Sequence, residues 1–167
     1  MPATYEKIAT TTLGSAAASI DFNSIGSGFT DLRLVITGTI IAGNVYRIQY
    51  NGDTNTNYSV TVLESDGSTI SSSRGTNNTS VLSGFSYGGS ATVPQFVTYD
   101  IFSYAGSIYK TALVTTSSNH GTLSGYIERI VGLWRNTAAI NSIVITTSSG
   151  GNVPSGVSAT LYGILKA

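Results

Sequence analysis

A two-residue hydrophobic rhythm constrains this chain more than any other feature. It recurs along the sequence and is broken at short intervals by Gly, Ser and Asn. Alternation of this kind puts apolar side chains on one face of an extended strand, and no segment sustains the apolar spacing of an amphipathic helix. Ala16, Ala18, Ile20 and Phe22 share a face of an early strand, preceded by a predicted edge strand around Tyr5 to Thr12. The run from Asp31 to Ala42 aligns Leu32, Leu34, Ile36 and Ile40, and Asn44 to Tyr50 presents Tyr46, Ile48 and Tyr50. Ala42-Gly43 between them reads as a hairpin. After a turn-rich loop from Asn51 to Asn57, Tyr58 to Glu64 aligns Tyr58, Val60 and Val62. Further strands are predicted near Val97 to Tyr104, Ile108 to Thr116, Gly125 to Arg135, Ile140 to Thr147 and Val157 to Leu165. Ser65 to Asn78 has almost no apolar side chain, so it is expected outside the core as a surface loop or long hairpin tip.

About nine or ten short strands at this spacing predict two packed antiparallel sheets: an all-β, jelly-roll-like antiparallel β-sandwich. The 167 residues fit a single domain, residues 1–167, long enough to bury roughly 70% of the unfolded surface. There is no Cys, so stability must come from packing and hydrogen bonds, and thiol chemistry is excluded. Eight basic residues balance eight acidic ones without a basic run, which disfavours a nucleic-acid partner. No apolar run approaches membrane-spanning length, and Met1 to Lys7 is not followed by the apolar stretch of a secretory signal. No membrane association is expected, and the sequons at Asn57, Asn77 and Asn78 read as products of an Asn/Ser/Thr-rich composition.

Some predicted strands are apolar on both faces. Tyr99 and Ile101 alternate with Phe102 and Tyr104, and Tyr126, Ile130 and Trp134 alternate with Ile127, Val131 and Leu133. A sandwich needs one buried face per sheet, so the surplus reflects either bulges at Gly125 and Gly132 or contact with other subunits. Subunit contact is the favoured reading. Phe102, Tyr104, Tyr126, Ile130 and Trp134 are the candidate contact residues, with Arg129 and Arg135 as cations able to meet carboxylates across a boundary.

Candidate chemistry is sparse. Gly84-Phe85-Ser86-Tyr87-Gly88 matches the nucleophile-elbow pattern of serine hydrolases, but no helix pattern follows and His120 is the only possible base. Asp53, Asn55, Asn57 and Glu64 mimic the spacing of a calcium loop, yet Tyr58 stands where such a loop needs Gly. A looser oxygen-ligand site near Asp53 remains open beside a plain turn reading. No two carboxylates form a recognisable pair in sequence, and one His without Cys leaves no zinc cluster. Neither an enzyme nor a cofactor is expected.

Two stretches resemble small structural proteins of tailed phages, in particular those infecting cyanobacteria and other aquatic bacteria. One is Tyr5-Glu6-Lys7-Ile8-Ala9 with Thr10-Thr11-Thr12-Leu13 and the strand through Phe22. The other runs from Gly125-Tyr126-Ile127-Glu128 through Gly132-Leu133-Trp134-Arg135 to Ile143, with the closing Leu161-Tyr162-Gly163-Ile164. The Gly-Leu-Trp-Arg block is the more distinctive piece. The resemblance implies a virion component, either a capsid decoration (cement) protein or a fibre module, and carries no catalytic residue with it. The expectation is a homotrimer on the outer capsid surface, bound to the major capsid protein. The alternative is a receptor- or glycan-binding knob using the loops near Ser65 to Asn78 and Tyr87.

Overall fold

The structure, a computed structural model, describes residues 4–84, 88–119 and 125–165. These form twelve strands and no helix. In chain order they are β1 (Tyr5–Thr12), β2 (Ile20–Phe22), β3 (Asp31–Gly38), β4 (Tyr46–Tyr50), β5 (Tyr58–Ser65) and β6 (Ile70–Asn78). There follow β7 (Val81–Leu82), β8 (Gln95–Phe102), β9 (Lys110–Asn119), β10 (Gly125–Trp134), β11 (Ile143–Thr147) and β12 (Ser158–Ile164). Eight of them make one antiparallel sheet in the order β1-β12-β3-β8-β9-β10-β5-β6, and four make a smaller one, β2-β11-β4-β7. The expected all-β sandwich is what forms, with more strands than the periodicity alone resolves.

The alternating residues explain the layering. On β3, Leu32, Leu34 and Ile36 point inward, as do Val97, Tyr99 and Ile101 on β8 and Tyr58, Val60 and Val62 on β5. They meet Tyr46, Ile48 and Tyr50 of β4 and Ile143 and Ile145 of β11 in one continuous core. At the centre, Gly132 of β10 lies between Val60 of β5 and Ala112 of β9, three small inward positions in a row. Val81 of β7 fills the space, and a Cβ on Gly132 would come within 2.5 Å of its Cγ1. Gly132 is therefore a point of close approach between the sheets, and β10 runs in unbroken register with both neighbours. No bulge at Gly125 or Gly132 accounts for the surplus apolar face.

Three expectations are corrected. Ala42-Gly43 is not a hairpin, because β3 and β4 belong to different sheets. Strand β3 stops at Gly38, whose φ of 134° and close contact with Val157 suit only glycine, and the chain then crosses the sandwich. The turn at Ala42-Gly43 sits within that crossing, pinned by the Tyr46 hydroxyl donating to the Thr39 carbonyl at 2.8 Å. Second, Ala16 and Ala18 lie outside β2; that segment is held by the reciprocal bridge of Ala17 to Val153. Third, Ser65 to Asn78 is not a surface loop; the hairpin alternative holds, with Ile70 to Asn78 as its second strand outside the core. The hairpin turn before it is organised by Asp66, whose Oδ1 accepts from Ser68 N at 2.9 Å and Thr69 N at 2.7 Å. Backbone pairing to β5 suffices for an edge strand without a core-facing apolar set.

Candidate docking surface on the larger sheet

The smaller sheet covers the inner face of the larger one and leaves the outer face open. Inner and outer positions separate cleanly by burial on β5, β8 and β10. Ile130 and Trp134 occupy inner positions of β10, and Tyr104 follows β8 into the core. All three were expected at a subunit contact; the chain's own core takes them instead, Tyr104 because the chain turns inward after β8 at Ser103, whose φ is 50°, and Ile130 and Trp134 because they share the parity of Gly132. Tyr126 has that parity too and is half-buried near the strand's start. The outward positions belong to the alternate set: Ile127 and Val131 on β10, Leu63 on β5, Ile70 on β6, and Phe96 and Phe102 on β8, each more than 40% exposed. Of the predicted contact residues, Phe102 and Arg129 lie on this face.

Register joins these side chains into a field. Val131 sits between Leu113 of β9 and Thr61 of β5, and Ile127 between Ser117 and Ser65. Leu63, Ile70, Ile127 and Arg129 line a shallow groove toward the β6 edge. The described outward positions of β5, β9 and β10 hold no carboxylate and one cation, Arg129, whose guanidinium donates to the Thr115 hydroxyl. The β1-β12-β3 half differs in kind. There Thr10 pairs with Thr160 at 3.0 Å and Thr12 with Ser158 at 2.9 Å, and Arg33 forms a two-point ion pair with Asp100 at 2.5 and 2.9 Å while lying over the Tyr5 ring. Those strands pair polar groups with one another and, through Asp100, with β8; the β9-β10-β5 half sets Leu63, Leu113, Ile127, Val131 and Leu133 among Ser and Thr.

The Gly-Leu-Trp-Arg block has a structural role. Trp134 packs against Tyr50 and Tyr58 with ring centroids 5.4 and 6.2 Å away, and its Nε1 donates to Asp53 Oδ2 at 2.7 Å. Arg135 lies beside the same loop: its backbone N donates to the Asn57 carbonyl and its guanidinium to the Thr56 carbonyl and Asn77 Oδ1. The block thus ties the loop joining the two sheets to the end of β10. Asp53 also accepts from Asn55 N and Nδ2 and from Asn57 Nδ2, all near 3 Å. Partial burial works to raise its carboxyl pKa, but the bonds from Asn57, Trp134 and Asn55 outweigh that and hold it below its ordinary value. The Asp/Asn cluster therefore works as a turn: donors occupy both carboxylate oxygens. Among the described residues no group of three His, Cys, Asp or Glu side chains converges.

The fold brings together one pair that linear spacing hides. Glu64 of β5 and Glu128 of β10 face each other in register, both almost fully buried. The Ser71 hydroxyl donates to Glu64 Oε1 at 2.8 Å. Nearby, burial pushes the Tyr99 hydroxyl pKa well up; a bond with Ser83 opposes this, and the charges of Tyr46 and Glu128 add to it. The signal was present in the sequence, because each Glu continues the inward parity of its strand: Tyr58, Val60, Val62, Glu64 and Glu128, Ile130, Gly132, Trp134. Ser86, Tyr87 and His120, with the nucleophile-elbow reading, lie outside the described residues.

Comparison of the chain with protein-family models, with curated proteins and with solved structures finds no match.

Proposed function

We propose that this chain is a non-enzymatic structural protein of a tailed-phage virion, decorating the outer capsid surface by seating the β9-β10-β5 half of its larger sheet on the major capsid protein. The observation that carries this reading is the open outer face, where Leu63, Phe96, Phe102, Ile127 and Val131 stay exposed although the chain already has a complete core. A protein that worked alone would gain solubility from polar residues there, as it does on the β1-β12-β3 half. The sequence resemblance to phage structural proteins supplies the virion context.

The face has a magnitude. From β8 to β6, four strand spacings of about 4.8 Å by about 20 Å of strand give a patch of roughly 400 Å². About half of that area is apolar, so at about 25 cal/mol per Å² its burial contributes on the order of 5 kcal/mol, no more than association costs. One copy alone would then hold weakly, and a shell carrying many copies gains by bridging neighbouring capsomers. Arg129, without a carboxylate on the outward positions beside it, suits a partner surface bearing acidic groups.

Particles lacking the protein are expected to release DNA at a lower temperature than wild type, and adding purified protein back should restore retention. The variant Val131→Asp, which leaves the core untouched, should fail to restore it while still folding, with an unfolding temperature lowered by no more than the few degrees that about 1 kcal/mol of strand propensity represents. Equal heat resistance with and without the protein removes the cementing role.

A further inference from the structure

The two edges of the larger sheet are built differently. Strand β1 carries Lys7 and a register break between Lys7 and Ala9, both devices that discourage further strand pairing. The edges of the smaller sheet, β2 and β7, are three and two residues long. Strand β6 has nine residues and no Pro; it carries one cation, Arg74, and its own register break lies beyond Gly75, which leaves Ile70 to Gly75 in unbroken register with β5. Those six residues exceed the unbroken runs of β1, Tyr5 to Lys7 and Ala9 to Thr12, so among the described residues β6 offers the longest regular edge.

We infer that β6 pairs with β6 of a second copy, antiparallel about a two-fold axis, to continue the eight-stranded sheet across the dimer. Asp66 N donates to the Thr69 carbonyl in the hairpin turn, so hydrogen-bonded pairs alternate from there. Ser71 and Ser73 direct their backbone groups toward β5, while Ile70, Ser72 and Arg74 direct theirs outward. An antiparallel partner must align outward residues with outward residues. An axis at Arg74 would stack two guanidinium groups; an axis at Ser72 sets Ser72 against its own copy and Ile70 against Arg74 of the second chain, which separates the cations and lays an Arg stem along Ile70, the most exposed large apolar residue among the described residues. Because the break on β1 falls in mid-strand and the break on β6 falls beyond Gly75, the β6 edge of another copy is the strand of this chain that fits, and the assembly closes at two.

A two-fold axis normal to the sheet keeps both outer faces on the same side. The apolar groove of Leu63, Ile70 and Ile127 then continues across the axis. If the docking reading above holds, the dimer presents two seats to the shell and binds with the gain of a linked pair. The pairing itself does not depend on that reading.

Sedimentation velocity on the full chain over a concentration series tests the pairing. A single added strand buries less than the roughly 1,600 Å² of a standard interface, so dimer should grow in at micromolar concentrations and above. Ser72→Pro removes an outward N–H at a position an edge strand tolerates, and should give a monomer whose unfolding temperature matches wild type at concentrations where the wild type is itself monomeric. Ser72→Lys should also be monomeric, Ser72→Glu likewise, and an equimolar mixture of the two should form a dimer. A monomeric or trimeric wild type, a dimer untouched by Ser72→Pro and Ser72→Lys, or no rescue in the mixture overturns the inference. Capsid binding lost in Val131→Asp with the dimer intact separates failure at the docking face from failure at this edge.

Discussion

Replacing Gly132 with alanine puts a methyl where Val81 of the smaller sheet already sits, 2.5 Å from one Cγ and 3.0 Å from the other. Both contacts are below van der Waals separation, so either Val81 turns or the two-residue strand β7 lifts. Overpacking of this kind costs about 1–3 kcal/mol, and the alanine returns about 0.5–1 kcal/mol by lowering the backbone entropy that glycine loses in a strand. The expected net destabilisation is about 1–2 kcal/mol, or roughly 2–8 °C in Tm for a chain of this size. Val81→Ala alone removes two buried methyl groups at about 0.8 kcal/mol each, plus the penalty of the space left behind. In the double variant the new methyl occupies that space, so the pair should be more stable than the sum of the singles by about 1–2 kcal/mol. Trp134, the only tryptophan of the chain, is buried on the same face two positions away and reports unfolding by fluorescence in urea. Additivity of the two single effects within about 0.5 kcal/mol would refute a direct Gly132 to Val81 contact and, with it, this packing of the sheets.

Three further outcomes follow from the same geometry. Trp134→Phe keeps most of the aromatic packing but removes the donor to Asp53, and should cost about 1 kcal/mol in urea unfolding, reduced from a buried charged bond because Asp53 is partly exposed. Because the folded carboxyl of Asp53 titrates below its unfolded value of 3.8, its contribution is complete above that pH and fades as pH falls through the folded value. Wild type should lose more stability than Asp53→Asn between pH 6 and pH 2.5, and equal losses would count against this role. Asp100→Asn breaks the Arg33 ion pair on the exposed face and should change stability by less than about 1 kcal/mol; a larger loss in thermal unfolding contradicts its assignment as a surface pair.

Strand existence was legible because alternation maps directly onto inward and outward faces. Leu32, Leu34 and Ile36, or Tyr58, Val60 and Val62, need no tertiary knowledge to be placed. Which sheet a strand joins was not legible: β3 and β4 follow each other in sequence with a Gly turn between them, yet the stop at Gly38 depends on Val157, far along the chain. The polar β6 was missed as a strand because edge pairing is satisfied by backbone groups that every residue carries. At the candidate site, parity identified two apolar faces on β10 but not which one the core would take. The answer rests on Gly132, whose missing side chain admits Val81, so Ile130 and Trp134 turn inward and Ile127 and Val131 remain outside. The pairing of Glu64 with Glu128 followed from register, which single-strand periodicity does not encode.

The outer face of the larger sheet is the centre of the functional account, and stoichiometric binding to capsid shells tests it most directly. Purified protein mixed with shells of the major capsid protein should saturate at hundreds of copies per particle, and the Val131→Asp variant, though folded, should not bind. Saturation at a handful of copies, or binding by Val131→Asp equal to wild type, would contradict docking through this face.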